Sequence, residues 1–529
     1  MPRLRTAAAA ALLVVPIVAG GFLLQEPPAR ANAALFQQVM SLVQTQYVDT
    51  LPASSAYEKA ARGLIHELND PYSELLSPKQ SEAFNRATGG RYGGTGMSIS
   101  EVSPGKGIVV QRVFPNTPAD EAGVREGDHI IAVDSVPTVN LSSTKVSDLL
   151  RGEPGSKVTV VYTRLGVAEP IKLHFTRRVV HVPAVAFAAM LGNHVGYIPL
   201  QTFNENAAGE VQTAVDQLVK EGATGLVLDM RDNGGGIVQQ ALETSSLFLR
   251  EGQEIASVRS RSQPTEVLKS SGKHLALPVP LIVLVDGGSA SATEIVAGAL
   301  QDHDRALVLG TTSFGKGLVQ SVYQLSDGYQ LKMTTAKWFT PSGRSIHRER
   351  KLLPSGEFVE VRPDSTGADS TKKPKFKSDA GRTVYGGGGI HPDIVVADDT
   401  IPTAERDFLR AAAPQGQAIT TVLQDYSLEL KGTVARDFKV PSTWTTELMR
   451  RMTAAGVKLD PKFDAAGRTV LARDLENRVA RLSFGDATAK ARTLDEDHQL
   501  VKAVQLLERS TTQAQLLAAA APASDVIRK

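Results

Sequence analysis

Ser291 and Lys316 are the residues whose surroundings best suit bond-making chemistry. Ser291 lies in Leu281-Ile-Val-Leu-Val-Asp-Gly-Gly-Ser-Ala-Ser-Ala-Thr-Glu-Ile-Val-Ala-Gly-Ala-Leu300. The apolar run from Leu281 to Val285 reads as a buried strand. Asp286-Gly287-Gly288 supplies a turn, and the small apolar residues from Ala292 onward read as a helix. A hydroxyl at Ser289 or Ser291 therefore stands where a strand turns sharply into a helix, beside backbone N–H groups that have no helical partner. Nucleophilic serine enzymes use this geometry. The same residues also fit a capping box from Ser291 to Glu294, in which the serine only satisfies loose helix donors.

A serine nucleophile needs a base. The chain holds ten histidines. His303 is twelve positions along the same helix, roughly 18 Å away at 1.5 Å per residue, and out of reach. His391 follows a glycine run and reads as a solvent-facing loop histidine. Lys316 is better placed, in Gly310-Thr-Thr-Ser-Phe-Gly-Lys-Gly317, directly after the next buried strand, Ala306–Leu309. If that strand neighbours Leu281–Asp286 in a parallel sheet, both C-terminal ends open onto one crevice. Desolvation or nearby positive charge makes a neutral lysine available as a base. Serine–lysine pairs are a known variant of the serine nucleophile. The Lys316 loop also fits a phosphate-binding loop up to its last position, where Gly317 replaces the required Ser or Thr. It then runs into Leu318–Leu325, which alternates like a strand and offers phosphate no helix N-terminus. A nucleotide site fails on both counts.

The elements around these residues form a multidomain α/β chain. Over residues 179–395, strands at His194–Leu200, Gly225–Met230, Leu281–Asp286, Ala306–Gly310 and Gln330–Phe339 alternate with helices at Gly209–Glu221, Ile237–Arg250 and Ala292–Gln301. This is the pattern of an open, mostly parallel α/β sheet. Residues 348–385 read as a solvated surface insertion, residues 34–88 as a helical arm, and residues 396–529 as a helical region with no evident chemistry. Residues 89–178 hold small strands with a helix between them, a compact module of about one hundred residues.

With 529 residues, the chain has room for several domains, and 42% hydrophobic and 22% charged residues suit a soluble protein. A net charge of +2 gives no reason to expect nucleic acid. The absence of cysteine excludes disulfides, thiolate metal sites and a cysteine nucleophile. Met1-Pro-Arg-Leu-Arg5, the apolar run Ala7–Leu24 and the small-x-small sites Ala29-Arg-Ala31 and Ala31-Asn-Ala33 read as a signal peptide over residues 1–33. An uncleaved membrane anchor is the alternative. Either way the folded part is expected to be periplasmic or secreted.

The phrase Pro118-Ala-x-x-Ala-Gly-Val-x-x-Gly-Asp-x-Ile130, within that order of strands, resembles a PDZ domain. The resemblance implies a β-sandwich-like domain that takes an extended peptide as an added strand, its terminal carboxylate held by the loop Thr95-Gly96-Met97-Ser98.

Gly288-Ser-Ala-Ser-Ala-Thr-Glu-Ile295, Gly315-Lys-Gly-Leu-Val-Gln320 and Asp229-x-Arg-x-Asn-x-Gly-Gly236 together resemble the carboxyl-terminal processing peptidases (tail-specific proteases). So do Asp70-Pro-Tyr-Ser73, Thr334–Arg344 and Gly387-Gly-Gly-Ile-His-Pro-Asp393. The likeness implies a protease core at 179–395 with the PDZ domain inserted before it. It further implies Ser291 as nucleophile, Lys316 as general base and Gln320 as the residue that holds the lysine. The oxyanion hole would be the N–H of Ala292 and of a glycine, Gly235 or Gly236. The implied reaction is cleavage upstream of protein C-terminal tails, with no metal or cofactor. Substrates would be proteins or peptides with free C-termini. An adaptor protein, a homodimer and membrane anchoring through the N-terminus stay open, as does the alternative of a catalytically silent PDZ peptide-binding scaffold.

Overall fold

Every residue from Leu281 to Val285 is buried. A strand reaches that state only when both faces of its sheet are covered. The computed structural model, which describes residues 27–101, 107–164, 167–272, 278–352, 358–360 and 373–520, shows what covers them. Leu281–Val285 is central in a six-stranded sheet, ordered Ala189–Leu191, Val195–Pro199, Gly225–Asp229, Leu281–Val285, Leu307–Gly310 and Ile394–Val395. All neighbouring pairs are parallel except the first. Side chains alternate between the faces. Leu281, Val283 and Val285 join a core built with the helices Ala207–Lys220, Val238–Ser246 and Ala292–Asp302. Ile282 and Leu284 point the other way, onto Leu500, Ala503, Val504 and Leu507 of the helix His498–Glu508. Burying each such side chain is worth roughly 1.5–3 kcal/mol. A C-terminal helix thus closes the second face of the central sheet.

Gln330–Phe339 does not join this sheet, contrary to the sequence reading. Ala336–Phe339 pairs antiparallel with Glu254–Ser260, which in turn pairs with Glu266–Lys269. Ala336 and Trp338 are buried while Lys337 between them is exposed. One-sided burial suits an antiparallel sheet with a wet face, and parallel core strands lack it.

The chain divides into two compact units. The smaller holds residues 1–78, 320–334 and 350–359. In it, Glu74–Leu76 pairs with Gln330–Lys332, and Arg350 Nη1 donates to the Tyr72 hydroxyl at 3.0 Å. Its first described helix, Pro27–Gln46, already contains the small-x-small sites at 29–33. The basic and apolar part of the expected signal peptide, residues 1–26, lies outside the described residues. Among the described residues, no helix is long and apolar enough to cross a membrane.

The larger unit holds the rest. Strands Arg91–Gly94 and Arg178–His181 pair antiparallel at the root of the PDZ module. Its sheet runs Met97–Glu101, Ile108–Val113, His129–Val133, Lys157–Thr163, Ile171–Thr176, around a core that includes Val110, Ile130, Val146, Val160 and Tyr162. Helices Thr403–Ala412, Gly416–Leu430, Ser442–Ala454 and Asp464–Phe484 enclose a separate apolar core. That bundle meets the PDZ module through Arg481 and Glu126, 2.8 Å apart, and Asp486, at the start of the next helix, Asp486–Arg492, pairs with Arg112 of the module. Within the expected surface insertion, Lys375–Lys377 and Thr383–Tyr385 form a hairpin. Its Arg382 is anchored on Asp304 and Asp393, so this end of the insertion is pinned to the core. Residues 361–372 lie outside the described residues.

Candidate active site

Ser291 sits at φ 59°, ψ −114°, between Val285 and the helix Ala292–Asp302. A side-chain-bearing residue in such a region costs about 1–3 kcal/mol and needs surrounding contacts to hold it. Those contacts are visible. The Ser291 N–H donates to Glu294 Oε2 at 2.9 Å. The buried Ser289 hydroxyl accepts from the Asp286 N–H (2.9 Å), and its single proton is shared between the Met230 carbonyl (2.8 Å) and Asp286 Oδ1 (2.9 Å). Ser289 is therefore tied up in the turn. The Ser291 hydroxyl is only partly buried. The expected capping box is present, with its glutamate arm closing back on the Ser291 N–H.

The parallel neighbour required for Lys316 is also present. Leu281–Val285 and Leu307–Gly310 pair in register, Val285 opposite Gly310. Gly310 has φ 127°, and a Cβ there would lie 2.0 Å from the Val285 carbonyl oxygen, so only glycine lets the strand leave the sheet at this point. The loop that follows returns to the serine turn, where the Phe314 N–H donates to the Ser289 carbonyl at 2.9 Å.

Glu294 joins the two halves. Its Oε1 accepts from the Ser313 hydroxyl (2.5 Å) and the Gly315 N–H (2.7 Å). Its Oε2 accepts from the N–H groups of Ser291 (2.9 Å) and Lys316 (2.8 Å). Two such bonds meeting on one oxygen place the backbone nitrogens of Ser291 and Lys316 less than about 6 Å apart. Glu294 is completely buried, and burial pushes its carboxyl above the usual range against the pull of its four donors. Ser313 is held in turn by Ile390, whose N–H donates to the Ser313 hydroxyl at 2.6 Å and whose carbonyl accepts from the Ser313 N–H at 3.1 Å. Trp338 Nε1 donates to the Lys316 carbonyl at 3.1 Å. His391, expected to face solvent, is partly buried beside Tyr385, and its Nδ1 lies 3.0 Å from the Pro392 carbonyl. His303 is engaged away from the turn, by Asp379 at 2.7 Å and the Glu254 carbonyl at 2.6 Å.

The glycine loop after Gly225–Asp229 lies against the serine turn. A Cβ on Gly235 (φ 96°) would come within 2.7 Å of the Ala290 carbonyl oxygen and 2.9 Å of both the Ala292 nitrogen and Ser291 Cβ. The Gly235 N–H, however, donates to Asn233 Oδ1 at 2.9 Å. The N–H groups of Ala292 and Gly236 donate to no described residue. The loop is stitched down by the Asn233 carbonyl, which accepts from the Ala290 N–H (3.0 Å) and the Thr293 hydroxyl (2.8 Å). Gln320 belongs to the smaller unit, where its Nε2 lies 3.4 Å from Thr334 Oγ1.

In the PDZ module, among the described residues, Met97–Glu101 pairs on one side only, with Ile108–Val113. The helix Ser143–Leu150 lies alongside, its Ser143 N–H donating to Glu101 Oε1 at 2.8 Å. An edge strand beside a helix is where an extended peptide can be added. Thr95 is buried, and its carbonyl accepts from the Ala119 N–H. Gly96 has φ 91°, and a Cβ there would overlap Thr117 at 2.2 Å. The Gly96 carbonyl accepts from the Phe114 N–H, while its own N–H donates to no described residue. Met97 is buried under the Tyr162 hydroxyl, and Ser98 is exposed.

Sequence reasoning missed three residues here. Glu294 was visible only as a helix cap, Thr293 only as part of the serine motif. Ser313 carried no signal, because its partner Ile390 is 77 positions away.

Comparisons with known proteins agree with this architecture. The model of Peptidase family S41 matches residues 194–366, and that of the PDZ domain matches residues 86–163. A carboxy-terminal-processing protease of Bartonella bacilliformis is 36% identical over 319 residues, 59% of this chain and 72% of its own length. The carboxy-terminal processing protease CtpA of Bacillus subtilis is 34% identical over 307 residues, 58% of this chain and 65% of its own. Among solved structures, the photosystem II D1 C-terminal processing protease is 34% identical, covering 59% of this chain and 83% of its own, with a TM-score of 0.36. The class so defined is an α/β serine peptidase that carries a PDZ domain. Within it, the chain belongs to peptidase family S41, among the carboxy-terminal processing proteases.

Proposed function

We propose that this peptidase cleaves proteins upstream of their C-terminal tails, with Ser291 as nucleophile and Lys316 as general base. The Ser291 hydroxyl attacks the scissile carbonyl while a neutral Lys316 amine takes its proton. That proton passes to the departing amine, and a water deprotonated by the same lysine releases the acyl-enzyme. The N–H of Ala292, with that of Gly236 or a reoriented Gly235, receives the developing oxyanion. Gln320 is assigned to holding the lysine. The tail adds as a strand along Met97–Glu101, its carboxylate on the Thr95–Ser98 loop. No metal or cofactor takes part. The N-terminal sequence supports a periplasmic or secreted location.

The observation that carries this reading is the single Glu294 oxygen bonded to both the Ser291 and Lys316 N–H groups. The test is cleavage of an unfolded substrate with an apolar tail, its C-terminus free or amidated. Ser291→Ala and Lys316→Ala should each lower turnover at least about 10³-fold, and amidation should weaken capture. Full-rate cleavage by either variant would end the dyad assignment. Indifference to amidation would end the tail-capture assignment.

A further inference from the structure

Arg231 lies two residues beyond the strand Gly225–Asp229, in the loop that leads to the candidate oxyanion glycines. The residues on either side of it are bonded to the serine turn. The Met230 carbonyl accepts from the Ser289 hydroxyl at 2.8 Å, and the Asp232 N–H donates to Asp286 Oδ1 at 2.9 Å. Whatever orients Arg231 therefore bears on the Ser291 turn and on Asn233–Gly236 together.

Two carboxylates orient it. Arg231 Nε and Nη2 donate to Asp229 Oδ1 (2.9 Å) and Oδ2 (2.6 Å). Its Nη1 and Nη2 donate to Asp497 Oδ1 and Oδ2, both at 2.9 Å, and Nη1 also reaches Gln499 Oε1 at 3.1 Å. Paired, planar contacts of this kind fix direction as well as distance. Asp229 ends the strand just before this loop, but Asp497 is 266 positions away, at the start of the helix His498–Glu508. There it caps the helix by accepting from the Leu500 N–H at 3.0 Å, and it is held by Lys490 Nζ at 2.8 Å. The helix itself is locked to the sheet by Leu500, Val504 and Leu507.

We propose that Asp497 is a positioning residue for the peptidase site: through Arg231 it sets the loop that presents the oxyanion donors, so the C-terminal helix takes part in turnover. This rests on the assignment of those donors. Burial opposes the charge on Asp497, but its bonds to Arg231 and Lys490 hold the carboxyl far below the usual range. The strap is therefore charged wherever the enzyme works, and losing it should change the rate without adding an inflection to the pH profile.

The test uses the full chain with a tailed, unfolded peptide and measures kcat and KM for wild type, Asp497→Asn, Arg231→Gln and the double variant, with Ser291→Ala alongside. Asparagine still caps the helix through its Oδ1, so Asp497→Asn removes the charge and the acceptor that faces Arg231 Nη2 and Lys490. A misplacement of about 1 Å can cost about 10²-fold in rate. We expect kcat for Asp497→Asn to fall between about 10- and 100-fold, with KM within about twofold and the pH profile unmoved. The double variant should be no slower than Arg231→Gln alone, since both changes cut one interaction. A purely structural ion pair would lower the urea midpoint and leave kcat untouched, which would overturn the proposal. So would a change confined to KM, or losses that multiply in the double variant. If Asp497→Asn does not fold, Asp497→Glu is read instead, keeping the charge on a longer arm. Reduced kcat at a wild-type urea midpoint supports the strap, and unchanged kcat overturns it. Retained turnover in Ser291→Ala would sink the nucleophile assignment separately, whatever Asp497 does.

Discussion

Replacing Glu294 with glutamine tests the central joint of the site with the smallest change of shape. The carboxylate accepts four bonds, two on each oxygen. An amide can serve one pair through its oxygen and must face the other pair with an NH2 group. Two donors then lose their acceptor in a fully buried place. Each such loss costs about 1–3 kcal/mol. Relief from burying a charge offsets part of this, so Glu294→Gln should destabilise the protein by about 2–4 kcal/mol. The pair most exposed to the loss is Ser291 N–H with Lys316 N–H, since those groups sit at the partly open edge of the turn. Once their common acceptor is gone, the serine turn and the lysine loop can drift apart. A shift near 1 Å predicts a loss of turnover of about 10²-fold. The assay is urea unfolding in parallel with cleavage of a tailed peptide under conditions where the variant stays folded. A glutamine variant with the wild-type urea midpoint and turnover within threefold would refute the reasoning, because it would show that the two loops hold their places without the shared acceptor.

Two further predictions concern the same neighbourhood. Gly235→Ala places a Cβ 2.7 Å from the Ala290 carbonyl oxygen at φ 96°, whereas a Cβ on Gly234 meets nothing within 4 Å. Gly235→Ala should therefore lose about 2 kcal/mol or more in stability and most of its turnover, and Gly234→Ala little of either; equal effects in the two would count against the close approach. Burial pushes His391 below its ordinary value, the Pro392 carbonyl working against it. As pH falls through about 6.5 the unfolded chain takes up the proton first, so stability is lost on the acid side. Urea midpoints measured at several pH values should fall more steeply in acid for wild type than for His391→Asn, and matching slopes would sink that account.

Much of the site was legible because its parts are local. The Leu281–Val285 run, the Asp286-Gly287-Gly288 turn and the helix from Ala292 are each specified by neighbours within a few positions, so the place of Ser291 could be read from spacing alone. The Lys316 loop was legible for the same reason, as was the PDZ phrase at Pro118–Ile130. Gln330–Phe339 was misplaced because its residues say "strand" without saying which sheet. Only its one-sided burial beside Glu254–Ser260 decides that. Glu294 was read as a cap because nothing local reveals that Ser313, Gly315 and Lys316 return to it.

The sequence by itself determined which segments become strands, turns and helices, and which chemical groups stand at their ends, since backbone preference and apolar periodicity act over a few residues. Tertiary structure alone decided that one carboxylate spans the serine and lysine backbones, that Gly235 rather than Gly236 crowds Ser291, and that Asp497 reaches Arg231. These pairings join residues up to 266 positions apart. They depend on how sheets and helices close around a common core, and no local pattern encodes that closure.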